Sequence, residues 1–199
     1  MSVLPKLSVN YKKEYVIKTN ECKSSILHPE HFLNFQDGNN SEIAWKWLNL
    51  PIRSDGKILN KLVIQNMTKE FLHINLLVRF TIDSDSDCPL VYYSPSREAL
   101  ISYDGTGYSL FGGIGNRREA VNYSTIHVDV EQWEKGLPLN FQPLSKHSEG
   151  WGMEFELQLP KNATCFIYEW EFKSSKLHEL EDLHSQYQCL LGNQTFSNT

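Results

Sequence analysis

The chain reads as a mostly β protein: an antiparallel β-sandwich of jelly-roll type or a closed β-barrel, finished by one C-terminal amphipathic helix. Three observations predict this. Short apolar runs with period-two alternation recur along most of the 199 residues. Clusters of Gly, Pro, Asn and Asp separate them. Helical spacing of apolar residues appears only near the end. A chain of this length suits a single domain over 1–199 with one full hydrophobic core.

Taken in order, VNYKKEYVIK (9–18) opens as a strand, and Pro29 with the DGNN cluster marks a loop. EIAWKWLNL places Ile43, Trp45 and Trp47 on one strand face. KILNKLVIQNMTKEFLHINLLVRFTI reads as a hairpin about QNMTKE, with Leu72, Ile74, Leu76, Val78 and Phe80 facing a core. PLVYYS, ALISY and YSLFGG follow as short strands. VNYSTIHVDVEQW alternates as another, Ile126, Val128 and Val130 opposing Thr125, His127 and Asp129.

WGMEFELQL and CFIYEWEF then read as a second hairpin joined by PKNAT. Phe155, Leu157 and Leu159 would share its buried face with Phe166, Tyr168, Trp170 and Phe172. The helix spans 175–191, where Leu177, Leu180, Leu183 or His184, Tyr187 and Leu190 recur at helical spacing. Ser174 or Ser175 suits its cap, Gly192 suits its end, and 193–199 is a flexible tail.

Composition narrows function by exclusion. A net charge of −5 argues against a broad nucleic-acid surface. No apolar run is long enough for a transmembrane helix, and the first residues lack a signal-type core. The four cysteines (22, 88, 165 and 189) form no CxxC pair and suit reduced thiols in the cytoplasm. Against that, N-x-S/T triplets at Asn39, Asn66, Asn122, Asn162 and Asn193 suit a secreted protein whose leader has been removed.

The glycine-rich stretch DGTGYSLFGGIGNRR (104–118) invites a phosphate-loop reading and fails it. Gly113 stands where a P-loop needs lysine, Leu110 where the dinucleotide fingerprint needs glycine, and no helix opens behind either. Two β-turns flanking a YSLF strand account for it better: Asp104-Gly105, and a GGIGN turn requiring positive φ. No cofactor is expected. His127-Val-Asp129 is a weak metal candidate of the H-x-D kind; an outward His–Asp hydrogen bond explains it more simply.

Two surfaces carry the functional reading. Tyr92, Tyr93, Tyr103 and Tyr108 cluster about the glycine stretch, with Arg117, Arg118 and a Trp151 exposed at a sheet edge. Not all five tryptophans fit easily inside one domain. Flat aromatics with oriented polar groups predict a small-molecule ligand, a saccharide first, bound without catalysis. Glu154, Glu156, Glu169 and Glu171 form the alternative, a row opposite the aromatic core that a carbohydrate-active hydrolase could use as acid and base. Strand alternation alone also makes such a row a solvated face. A third expectation is a lipocalin-like barrel holding an apolar ligand or pigment.

Overall fold

The computed structural model describes residues 10–19, 25–27, 35–52, 56–83, 87–115 and 121–192. The expected tail 193–199, Arg117, Arg118 and the Asn193 triplet lie outside them. Strands dominate, and every strand pair is antiparallel. They form two separate sheets facing one another as a sandwich, not a closed barrel.

The smaller sheet holds β1 (Tyr11–Thr19), β2 (Ser25–Leu27), β6 (Leu72–Ile82), β10 (Val121–Ser124) and β12 (Gly150–Leu159), in the order β10-β12-β6-β1-β2. The larger holds β3 (Phe35–Asn39), β4 (Ile43–Leu50), β5 (Lys57–Asn66), β7 (Leu90–Ser94), β8 (Ala99–Tyr103), β9 (Tyr108–Gly115), β11 (Leu144–Ser145) and β13 (Thr164–Ser174). Its order is β11-β7-β8-β9-β13-β5-β4-β3. A short helix α1 (Val130–Glu134) lies over the smaller sheet, and α2 (Leu177–Gly192) packs on the outside of the larger one, against β9 and β13.

The alternation of β6 works as read: Leu72, Ile74, Leu76, Val78 and Phe80 are buried in the central core with Ile43, Trp45 and Trp47 of β4. Neither expected hairpin exists. β5 and β6 belong to different sheets, as do β12 and β13, so each pair crosses from one layer to the other. Their apolar faces meet across the core instead of lying side by side. Period-two alternation is satisfied equally by both arrangements, which is why pattern alone did not separate them.

Asn66 ties the two crossings together. Its side-chain amide donates to the carbonyls of Glu70 at 2.8 Å, Leu159 at 3.1 Å and Pro160 at 3.1 Å. Its oxygen accepts from the Thr68 amide and hydroxyl, both at 2.8 Å. The Asn66 side chain is thus consumed by structure.

The glycine stretch is also corrected in part. Asp104-Gly105 does make the β8–β9 turn: Gly105 sits at φ 90°, and the Asp104 carboxylate accepts from the Thr106 amide and hydroxyl and from the Gly107 amide. GGIG is no second turn but the last half of β9. Its glycines serve close packing. A Cβ on Gly112 would stand 2.7 Å from the His184 ring, and one on Gly113 would stand 2.5 Å from Phe155. The strand expected through VNYSTIHVDVEQW ends at Ser124, and α1 follows.

Helix α2 starts two residues later and ends one residue later than expected, and buries Leu180 and His184 most deeply. Leu191, not the exposed Leu190, completes the packed stripe with Leu177, Leu183 and Tyr187. The Ser174 hydroxyl accepts from the Lys176 amide and donates to Glu179, securing the helix start. Among the described residues, no helix is long and apolar enough to cross a membrane.

Candidate functional site

Strand register decides which aromatics share a surface. Tyr92 pairs with Ile101 and Leu144, and Tyr103 with Tyr108, all on the outer face of the larger sheet. The Tyr103 and Tyr108 rings lie 4.8 Å apart at 33°, and Tyr103 is 36% exposed. Tyr92 and Tyr108 are half-buried at the edge of the cluster beneath α2. Burial raises the Tyr92 hydroxyl above the usual tyrosine range, and the nearby Glu181 carboxylate and Tyr108 raise it further. The phenol therefore stays a neutral hydrogen-bond donor.

Two charged side chains border this strip. Arg97, in the turn between β7 and β8, approaches Glu181 of α2 at 3.8 Å and donates to the Ser185 hydroxyl at 3.1 Å. Both remain partly exposed. The strip therefore combines flat apolar faces with an acceptor and a forked donor at its rim. Neither Arg97 nor Glu181 was singled out from sequence. They are 84 positions apart along the chain, and the docking of α2 brings them together.

Two residues expected here belong elsewhere. Tyr93 points to the opposite face of its strand, inside the sandwich, with Tyr123 at 4.9 Å and Phe141 at 5.7 Å. Trp151 is not at an exposed edge. It is fully buried among Tyr11, Phe80 and Phe111, and its indole N–H meets no acceptor among the described residues. All five tryptophans are in fact buried, none above 8% exposure, because two sheet layers plus two helices provide three apolar clusters instead of one.

The glutamate row is dismantled by the sheet crossing. Glu154 and Glu156 lie on the outside of the smaller sheet, where Glu154 accepts from the Trp133 indole at 2.7 Å and Asn75 at 3.0 Å. Glu156 is exposed and accepts from Asn122 at 2.9 Å. Glu169 and Glu171 point inward instead. Glu169 pairs with Lys13 and accepts from Tyr15 at 2.7 Å and Asn60 at 2.9 Å. Glu171 takes the Tyr11 hydroxyl and pairs with Lys173 at 3.2 Å. The two halves of the row sit on different layers, so they do not flank one substrate space.

Asp129 is the N-cap of α1, accepting from the Glu131 amide at 2.9 Å and the Gln132 amide at 3.3 Å, so its carboxylate does not pair with the exposed His127. Among the described residues, no group of three His, Cys, Asp or Glu side chains is placed to hold a metal ion. A cavity of about 340 Å³ lies along α2, lined by Lys57, Lys173, Ser174, Glu179, Asp182 and Gln186 over Leu180 and Leu183; its Ser174 stands across the ladder from Tyr108.

The sequence matches no protein-family model and no curated protein. The fold does find counterparts among solved structures. A polysaccharide lyase aligns with a TM-score of 0.53 at 10% identity, over 88% of this chain and 27% of its own. A protein described as a kojibiose phosphorylase from the human microbiome aligns at 0.46 and 14% identity, over 95% of this chain and 26% of its own. A bacterial glucoamylase complexed with acarbose aligns at 0.44 and 10% identity, over 97% and 32%. This chain thus spans about a quarter to a third of those proteins, and the lyase shares its sandwich architecture.

Proposed function

We propose that this sandwich is a non-catalytic saccharide-binding module whose contact surface is the Tyr92–Tyr103–Tyr108 strip. One observation carries the reading. Tyr103 and Tyr108 form a paired aromatic platform at one end of the strip, and Tyr92 continues it toward Glu181, which pairs with Arg97 at the other end of β8. Sugar rings present apolar C–H faces and a ring of hydroxyls. Aromatic faces cover the first while a carboxylate and a guanidinium orient the second. The fold shared with part of a polysaccharide lyase supports this ligand class, since a segment covering 27% of that protein leaves most of it for other work. The split of the four glutamates between two layers favours binding over hydrolysis.

Affinity gel electrophoresis tests the proposal at pH 7.5, with hydroxyethyl cellulose, xylan, polygalacturonate and alginate each cast into native gels. Retardation by at least one polysaccharide, abolished in the Tyr103→Ala/Tyr108→Ala variant, is the expected result. Unchanged mobility in all four gels at high polysaccharide loading contradicts it.

A further inference from the structure

Beside its apolar stripe, helix α2 meets the larger sheet through a fully buried imidazole, that of His184. Nδ1 of His184 accepts the indole N–H of Trp170 at 3.0 Å, and Nε2–H donates to the Arg97 carbonyl at 2.6 Å. The roles are dictated by the partners. An indole N–H only donates and a carbonyl only accepts, so the ring is the neutral Nε2–H tautomer. A second proton on Nδ1 would confront the Trp170 donor with no acceptor. Gly112 leaves the ring its seat, since any Cβ there would occupy it. Gln188 donates to the same Arg97 carbonyl at 3.2 Å, so three elements meet at this point: β13, α2 and the β7–β8 turn.

The surrounding charges are few. Arg97 faces the imidazole from the turn, with Glu181 of α2 beside its guanidinium. Tyr187 of α2 packs on the Trp170 ring, while β9 and β13 present Gly112 and Trp170, neither of which titrates. Burial holds the His184 pKa below the usual histidine value, and the Arg97 guanidinium acts in the same direction against the bond to its own carbonyl.

We infer that His184 is a positioning residue that makes the tyrosine strip acid-sensitive: proton uptake on its Nδ1 releases α2 and the Arg97 turn, removing the charged border of the strip. The ligand-binding part of this inference rests on the saccharide reading, whereas the release of α2 does not. The sign is fixed by linkage. The docked pKa is the lower one, so docking is complete above the undocked value near 6.5 and weakens as pH falls below it. With an undocked pKa of about 6.5, the undocking equilibrium rises by up to about 30-fold between pH 7.5 and 5.0.

Hydrogen exchange of the full chain at pH 7.5 and 5.0, corrected for intrinsic rates, tests this, with β6 and β12 as internal reference. Opening of 177–192 is expected to increase about 30-fold at pH 5.0 relative to that reference. His184→Gln, which keeps a donor for the Arg97 carbonyl, should show a ratio near one. Trp170→Phe, which removes the opposing donor, should shrink the ratio below about 10-fold by letting the docked ring accept a proton more readily. Equal protection of α2 at both pH values in the wild type overturns the inference, as does an undiminished ratio in His184→Gln. Polysaccharide gels at the same two pH values separate the readings. An acid-released helix with no retardation at pH 7.5 upholds the latch and overturns the saccharide reading. Retardation equal at pH 7.5 and 5.0, with α2 equally protected, upholds the saccharide reading and overturns the latch.

Discussion

Glu169 stands directly across the ladder from Asn60, and the Asn60 amide donates to its carboxylate at 2.9 Å inside the sandwich. The same amide lies 3.1 Å from the Tyr15 hydroxyl, which in turn donates to Glu169 at 2.7 Å. Asn49 holds the Asn60 oxygen at 2.9 Å, and Lys13 supplies the countercharge. Burial, then the Glu169 charge, raises the Tyr15 hydroxyl well above its ordinary range, so it remains a donor to the carboxylate. A buried carboxylate in this setting depends on each partner.

Removing one partner should therefore cost far more than a surface contact. Asn60→Ala is expected to destabilise by about 1–3 kcal/mol, from the donor taken away from a buried acceptor. Lys13→Met should cost about 3–5 kcal/mol by leaving the Glu169 charge uncompensated. Pairing Lys13→Met with Glu169→Leu should recover much of that loss, because a buried ion pair replaced by apolar side chains is often close to neutral. Urea denaturation of the three variants measures each value.

The glycines of 105–115 sort into two kinds, and substitution should separate them. Gly105→Ala meets no neighbouring atom but is strained at φ 90°, and should cost about 1 kcal/mol. Gly112→Ala would place a methyl 2.7–2.8 Å from His184 and Trp170, so α2 must shift. A loss of about 1–3 kcal/mol is expected, with faster hydrogen exchange confined to α2. Unchanged exchange of α2 in Gly112→Ala, or faster exchange there in Gly105→Ala, would contradict this division.

Asn66 carries one of the N-x-S/T triplets and is fully buried, its amide spent on three backbone carbonyls. It should carry no glycan even in a glycosylating host, which peptide mass spectrometry reads directly. Asn66→Asp keeps the acceptor for Thr68 but brings a charge against three carbonyls. It should destabilise by at least about 2–3 kcal/mol, measured by thermal or urea unfolding.

Alternation in β4 and β6 was legible because one face of each strand meets the central core. The late helix was legible because its stripe is the one stretch at helical spacing. The sheet assignment was not, since residues 66–71 and 160–163 look like hairpin turns and instead step between layers. That single difference moves Phe166, Tyr168, Trp170 and Phe172 from a shared buried face to the outside of the larger sheet, under α2, and turns Glu169 and Glu171 inward. At the candidate site, nearness in sequence grouped Tyr92, Tyr93, Tyr103 and Tyr108, and strand parity in the fold sets Tyr93 on the opposite face from the other three. Arg97, Glu181 and His184 carry no motif, and their meeting depends on where α2 lands, a tertiary fact with no local signal.

The most direct measurement is polysaccharide retardation of a matched pair of variants at pH 7.5. Tyr103→Ala/Tyr108→Ala removes the outer platform, whereas Tyr93→Phe alters only a hydroxyl on the inner side of the sheet. Stacked aromatics at a contact surface are typically worth about 1–2 kcal/mol each, so the double variant should bind at least about 10-fold more weakly with its unfolding midpoint nearly unchanged. Tyr93→Phe should bind like the wild type. Full retardation of the double variant, or binding that is lost with Tyr93→Phe and kept without the outer tyrosines, would contradict the assignment of the strip as the saccharide surface.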